Sequence, residues 1–248
     1  MEGFRAETYG DRIAEFYDRR YGGLPDLEAA VHLLAEVAEG GPALELGIGT
    51  GRIALPLAER GIEVHGIDAS QAMVAKLREK PGGEGLPVTI GNFADVGVEG
   101  AFPLVFVAFN TFFALLSQED QLRCFRNVAV HLTSGGRFVI RAFMPDLTRF
   151  TRDQSITVNR VELDEVELDL SHHDPVGQQI TSQHLVIDQQ GVRLFPVALR
   201  YAWPSELDLM ARLAGLRLEH RWGGWRRQPF AASSGSHVSL YIRDPVGQ

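Results

Sequence analysis

Between Ala43 and Ser70 the chain reads ALELGIGTGRIALPLAERGIEVHGIDAS. Gly47, Gly49 and Gly51 interrupt an apolar run, Glu45 precedes them, and Asp68 closes a second apolar run. Glycine tolerates positive φ and lets a ligand come close to the backbone. A strand, a glycine turn and a helix in succession also aim unpaired helix N–H groups at whatever lies above them. A carboxylate a short way on can accept from two neighbouring hydroxyls at once. Taken alone, the loop is equally a tight strand-to-helix turn; the two acids in register favour a ligand. The dinucleotide fingerprint needs a small residue three places after Gly49, where Arg52 stands, and no G-K-[ST] phosphate loop follows.

The pattern E-x-G-x-G-x-G with an acid ending the next strand resembles motif I of the class I S-adenosylmethionine-dependent methyltransferases. The resemblance implies that Glu45, the three glycines and Arg52 meet the amino-acid and ribose parts of S-adenosylmethionine. It also implies that Asp68 takes the ribose hydroxyls and that Ala69 and Met73 belong to the same cofactor set. GNF at 91–93 lies where the family carries Gly-Asp near the adenine; Asn92 replaces the acid and Phe93 flanks the ring. LVFVAFNTFF resembles the fourth-strand motif of the small-molecule members, with Asn110 and Thr111 at the cofactor. HLTSGGRFVI resembles the family's turn before the fifth strand. YDRRY matches a Y-D-x-x-Y motif placed before motif I in many of these enzymes. It implies that Tyr21 reaches the cofactor and that Tyr9, Tyr17 and Phe113 form an aromatic cage at the reacting centre. Such a cage suits a cationic sulfonium and an amine. S-adenosylhomocysteine is then the product.

These residues need elements to hold them. Aromatic residues at helical spacing predict a helix over 7–20, and Pro25 suits the first turn of a second helix over 25–39. Strands and helices then alternate to about residue 143, which implies a parallel sheet covered on both faces. Three stretches between 155 and 203 show partial period-two alternation and read as an antiparallel meander. A helix from 204 and two last strands return to the first sheet. The expected fold is α/β and doubly wound, and the resemblance implies a Rossmann-like seven-stranded sheet with one antiparallel strand and an inserted meander as substrate cover. The expected organisation is an N-terminal helical lid over 1–39, a cofactor-binding core over 40–149 and 204–248, and the inserted sheet over 150–203.

Composition narrows the function. The 248 residues carry a formal charge of −8, which argues against nucleic acid, whose binders need a basic face. No apolar run is long enough to span a membrane, and the first residues lack a secretory pattern. A lone cysteine, Cys124, excludes a disulfide framework and fits a cytoplasmic protein. The expected partner is a small-molecule acceptor, and the N-terminal helices and the meander offer surfaces for self-association. No metal is expected; HHD at 172–174 falls at a meander turn.

The leading reading is methyl transfer to the amine or imino nitrogen of a secondary metabolite, as in antibiotic biosynthesis. A second is O-methylation with His172, His173, His220 or His237 as base. A third is a non-catalytic cofactor-binding regulator. Trp225 and Arg226 lie where relatives have the substrate mouth, and Arg141 ends the fifth strand, placed to pair with a carboxylate or a local acid.

Overall fold

The structure is a computed structural model that describes residues 1–23 and 26–244. Pro25, assigned above to a helix start, and residues 245–248 of the expected core lie outside the described residues. Seven strands form one sheet: β1 (Ala43–Leu46), β2 (Val64–Asp68), β3 (Val88–Ile90), β4 (Phe102–Val107), β5 (Leu132–Phe143), β10 (Leu216–Trp222) and β11 (Ser236–Arg243). Their order is β10-β11-β5-β4-β1-β2-β3. β1 pairs in parallel with both β2 and β4, whereas β11 runs antiparallel to β5 and β10. All four residues of β1 are buried, as a strand covered on both faces requires.

The chain runs from β1 outward to β3 and then returns to β4 on the other side of β1. The reversal opens a crevice at the carboxyl ends of β1 and β4, the usual ligand position in open α/β sheets. Helices α2 (Leu27–Ala38) and α3 (Ala54–Glu59) pack on one face with Val31, Leu34 and Leu57. Helices α5 (Gln118–His131) and α6 (Pro204–Leu213) pack on the other, around Phe125, Val128 and Met210. Ser117 caps α5, accepting from the Asp120 amide at 3.0 Å. Among the described residues no helix is long and apolar enough to cross a membrane.

The second sheet is an antiparallel meander of four strands: β6 (Gln154–Val161), β7 (Glu165–Asp174), β8 (Gln179–Asp188) and β9 (Gly191–Arg200). The sequence suggested three stretches. The first contains a reversal at Glu162–Asp164, closed by the Glu162 amide donating to the Glu165 carbonyl at 2.8 Å. That turn is built from Glu, Leu and Asp with no glycine or proline, so composition gave no sign of it. A buried polar network ties the meander to the core. Gln121 of α5 donates to the Leu115 and Arg200 carbonyls, and Arg200 donates to Gln121 Oε1 at 2.7 Å and to Glu206 at 2.7 Å. Every member finds partners, so the network fixes orientation without stranding a charge. On the outer face, Ile156, Val158, Val192 and Leu194 are exposed.

Candidate active site

The glycine turn follows β1 directly. Gly47, Gly49 and Gly51 all have positive φ (77°, 55° and 76°), the region in which side chains are strained. Space matters as well: a Cβ on Gly47 would sit 2.5 Å from Thr111 Cγ2, which follows β4. Asp68, at the end of β2, closes the turn. Its Oδ2 accepts from the Gly49 amide at 2.7 Å and its Oδ1 from the Ser70 amide at 2.8 Å. Each oxygen keeps a further lone pair for a ligand. Burial pushes the Asp68 carboxyl up, and these amide bonds oppose the shift.

Glu45 is buried in β1, and one of its oxygens, Oε2, is buried without a hydrogen-bond partner. Burial drives its carboxyl well above the ordinary range, Arg52 opposes this, and Asp68 adds to it. An orphaned acid oxygen at the rim of a glycine turn fits a ligand's ammonium.

Helix α1 (Thr8–Tyr21) closes the crevice from above. Gly10 permits the approach, since a Cβ there would lie 2.5 Å from Ser70 Cβ. Ser70 Oγ donates to Asp11 at 2.6 Å while capping α4 (Gln71–Arg78). Asp18 accepts from Thr50 Oγ1 at 2.7 Å and pairs with Lys80 at 2.6 Å. The acid of YDRRY thus latches the helix onto the glycine turn, a role the motif did not reveal. Arg52 donates to the Tyr21 carbonyl at 3.1 Å and lies 3.7 Å from the Phe109 ring centroid.

Between these elements lies a cavity of about 710 Å³. Its lining includes Tyr9, Tyr17, Tyr21, Glu45, Gly47, Gly49, Arg52, Asp68, Ala69, Met73, Asn92, Phe93, Asn110 and Thr111, all expected from the sequence. Two expected residues do not line it. Gly51 faces inward: a Cβ would lie 2.3 Å from Leu77 Cδ1, so it serves helix packing. Phe113 is fully buried, because the short 3₁₀ turn Thr111–Ala114 rotates it into the core, 5.1 Å from the Phe143 ring and 6.4 Å from Phe112. Ala114, Leu115 and Leu116 line the cavity in its place.

Tyr9 and Tyr17 are neutral donors. Burial raises the Tyr9 phenol well above its ordinary value, with Tyr21 and Tyr17 adding, and Tyr9 stands 3.5 Å from the Tyr21 hydroxyl. Tyr17 is pushed up to about 12, first by burial, although Arg52 opposes it. Asn92 spends its Oδ1 on the Ala94 amide at 2.9 Å, holding its own turn.

Other lining residues gave weaker sequence signals. Phe109 and Asn110 take φ of 52° and 72° in succession after β4, a strained pair that sets the crevice wall. Arg141 pairs with no local acid among the described residues. It donates to Asn110 Oδ1 at 2.8 Å, and burial pushes its guanidinium pKa down. Trp225 lines the cavity and is buried, with Nε1 unpartnered; Arg226 is exposed and does not line it.

None of the four nominated histidines lines the cavity. His173 is buried against Tyr201 and Phe150, His220 stacks on Trp222, His172 is exposed, and His237 is enclosed in β11 beside Ser239. Burial, with Arg221 and Arg141 adding, pushes His237 down to about 3. The histidine that does line the cavity is His184 of β8, hydrogen-bonded through Nδ1 to Asp169 of β7. Only cross-strand register could have found it. Among the described residues no cluster of His, Cys, Asp or Glu could hold a metal ion.

Comparison with known proteins agrees with this geometry. Residues 43–136 match the family described as a methyltransferase domain. The chain is 30% identical over 197 residues to the cypemycin N-terminal methyltransferase of a Streptomyces species, covering 79% of this chain and 80% of that one. The solved CcbJ methyltransferase of Streptomyces caelestis superposes with a TM-score of 0.92 at 42% identity, over 97% of this chain and all of that one. The sugar N-methyltransferase KedS8 of Streptoalloteichus superposes with a TM-score of 0.69 at 25% identity, over 98% of this chain and 99% of that one. With the glycine turn, the acids Glu45 and Asp68 and the crevice between β1 and β4, these likenesses show that the chain belongs to the class I, small-molecule S-adenosylmethionine-dependent methyltransferases.

Proposed function

We propose that the protein methylates an amine or imino nitrogen of a small secondary metabolite. The observation that carries this reading is the wall of phenols, Tyr9, Tyr17 and Tyr21, that lines the cavity together with the acids Glu45 and Asp68, with burial holding Tyr9 and Tyr17 in the neutral form. Neutral tyrosines offer a hydroxyl acceptor and an electron-rich face to an ammonium, and contribute roughly 0.5–2 kcal/mol through the ring. The names of two relatives, an N-terminal and a sugar N-methyltransferase, support nitrogen as the acceptor.

S-adenosylmethionine supplies the electrophilic methyl. The chain's own groups do the rest. Asp68 takes the ribose hydroxyls on lone pairs the turn amides leave over. Glu45 Oε2 receives the α-ammonium, and Arg52 balances the carboxylate. Phe93 and Asn92 flank the adenine. Helix α1 excludes water from above and holds the acceptor nitrogen in line. Such positioning contributes on the order of 7–11 kcal/mol.

A labelled-methyl screen against aminated sugars, amino-acid and imino-acid amides, and phenols tests the reading. Transfer to nitrogen is expected; transfer confined to phenolic oxygen, or none at all, overturns it.

A further inference from the structure

We propose that His184, oriented by Asp169, is the catalytic base that takes the proton from the acceptor. The inference rests on the methyltransferase site above and names a residue of the inserted sheet as part of its chemistry.

An amine enters at neutral pH mostly as its ammonium and must lose a proton before it can attack. Several groups in the cavity are unsuited to receive it. The Tyr9 and Tyr17 phenols are raised by burial, so both stay protonated. Asp68 is bonded to two amides of its own turn, and Asp120 is held by Ser117 and Arg123 at the start of α5. Of the eight histidines, His184 alone lines the cavity.

The register of the meander builds the pair. Asp169 and His184 stand directly opposite each other on β7 and β8. The two side chains are 24% and 18% exposed, shielded yet reachable from the cavity. Burial would raise the Asp169 carboxyl, but the hydrogen bonds from His184 and Asn159 and the charge of Arg20 outweigh it and hold it below its usual value. An ionised carboxylate only accepts, so Nδ1 carries the hydrogen and Nε2 keeps its lone pair. The charged groups around the pair are few. Arg20 of α1 is paired with Glu167 of β7 at 3.1 Å, and Arg193 of β9 is bonded to Asp188 at 2.5 Å. β6 contributes the neutral Asn159. Phe195 lies opposite His184 on β9 and meets Phe16 of α1 edge-on, closing the wall.

The step balances. His184 Nε2 takes one proton from the ammonium and becomes an imidazolium held by Asp169. The freed nitrogen lone pair forms the N–CH3 bond as the S–CH3 bond breaks, and the sulfur leaves as a neutral thioether. The product is a protonated N-methyl amine, and the imidazolium returns its proton to solvent.

Two measurements test this. The first does not need an acceptor: the His184 ring nitrogens are followed by nitrogen NMR in the S-adenosylhomocysteine complex. The ring should carry its hydrogen on Nδ1, the nitrogen bonded to Asp169, and Asp169→Asn should change that proton distribution; a bare Nδ1, or ring shifts unmoved in the variant, overturns the pairing. The second is the pH profile of kcat/KM for the amine that the labelled-methyl screen shows to be methylated. His184→Gln should lower kcat/KM about 10²- to 10⁴-fold, abolish the acid limb of the profile, and leave the S-adenosylhomocysteine Kd within twofold. Added imidazole should restore part of the His184→Ala rate. An amine methylated by the variant at near wild-type rate, with its acid limb intact, sinks the base and leaves the amine reading standing. A phenol methylated with the same His184-dependent limb does the reverse. A wild-type protein inert towards the whole panel overturns both.

Discussion

The cavity wall made by β1, the glycine turn and β2 is shaped by backbone amides, whereas the wall made by β8 and β9 presents side chains. In the first, amide N–H groups and the acids Glu45 and Asp68 are set around Gly47 and Gly49, which take positive φ, within one local stretch of chain. In the second, the functional group is set by a cross-strand pair: His184 lines the cavity and Asp169 stands opposite it on β7. A backbone site suits a ligand that never changes, here the cofactor. A side-chain site on an inserted sheet can be altered residue by residue without disturbing the turn, which suits a varied acceptor. If so, damage to the first wall should appear in cofactor affinity and damage to the second in acceptor turnover.

The largest effect should follow Gly47→Ala. The new methyl meets Thr111 Cγ2 and the backbone is held at φ 77°. The conformational term alone costs about 1–2 kcal/mol, and with the clash the cofactor Kd should rise at least about 100-fold by calorimetry. Thr111→Ser in the same chain removes the clashing carbon and should recover part of the loss. Full affinity in Gly47→Ala would mean the turn does not touch the cofactor.

Asp68→Ala comes next. It removes hydrogen bonding to a charged oxygen, and a net loss of roughly 1.5–3 kcal/mol should raise cofactor Kd about 10- to 100-fold. An unchanged Kd would break the ribose assignment, and with it the contrast between the walls.

A third test probes stability. His237 is enclosed and its folded value lies near 3. The unfolded chain therefore binds the extra proton as pH falls below about 6.5, and stability is lost from there downward. The loss should reach roughly 2 kcal/mol by pH 5. In His237→Phe the melting temperature should fall less steeply between pH 7 and 5; equal slopes would refute the assignment.

The smallest effect has the opposite sign. Glu45 is held well above the ordinary carboxylate range, so its ionised form costs stability as pH rises past that range. Glu45→Gln should raise the melting temperature of the cofactor-free protein at pH 8 by about 2–4 °C, the shift expected for about 1 kcal/mol. It should also weaken cofactor binding. A variant that is neither more stable nor weaker in binding would remove Glu45 from the site.

Legibility followed the same division. The alternation of strands and helices and the glycine turn with its acids were readable, because glycines, acids and apolar runs act over a few neighbours, whereas the reversed strand β11 was legible only through the family resemblance. Phe113 misled because sequence proximity to Thr111 does not say which way a 3₁₀ turn rotates its rings. Gly51 shares the motif but packs against Leu77, a contact no local pattern encodes. The β6–β7 reversal carries no glycine or proline. His184 was passed over for His172 and His173, which stand in a more conspicuous sequence.

What the amino-acid order determined by itself was the sheet class, the glycine turn with Glu45 and Asp68, and the docking of α1 through its aromatic face. These depend on backbone conformation and on periodic burial, which short stretches carry within themselves. The tertiary structure alone decided that Asp18 latches α1, that Arg141 meets Asn110 rather than an acid, and that Asp169 and His184 stand opposite one another. Those outcomes are distances between residues 15 to 32 positions apart, set by packing and strand register, and a side chain's chemistry depends on what those distances bring beside it.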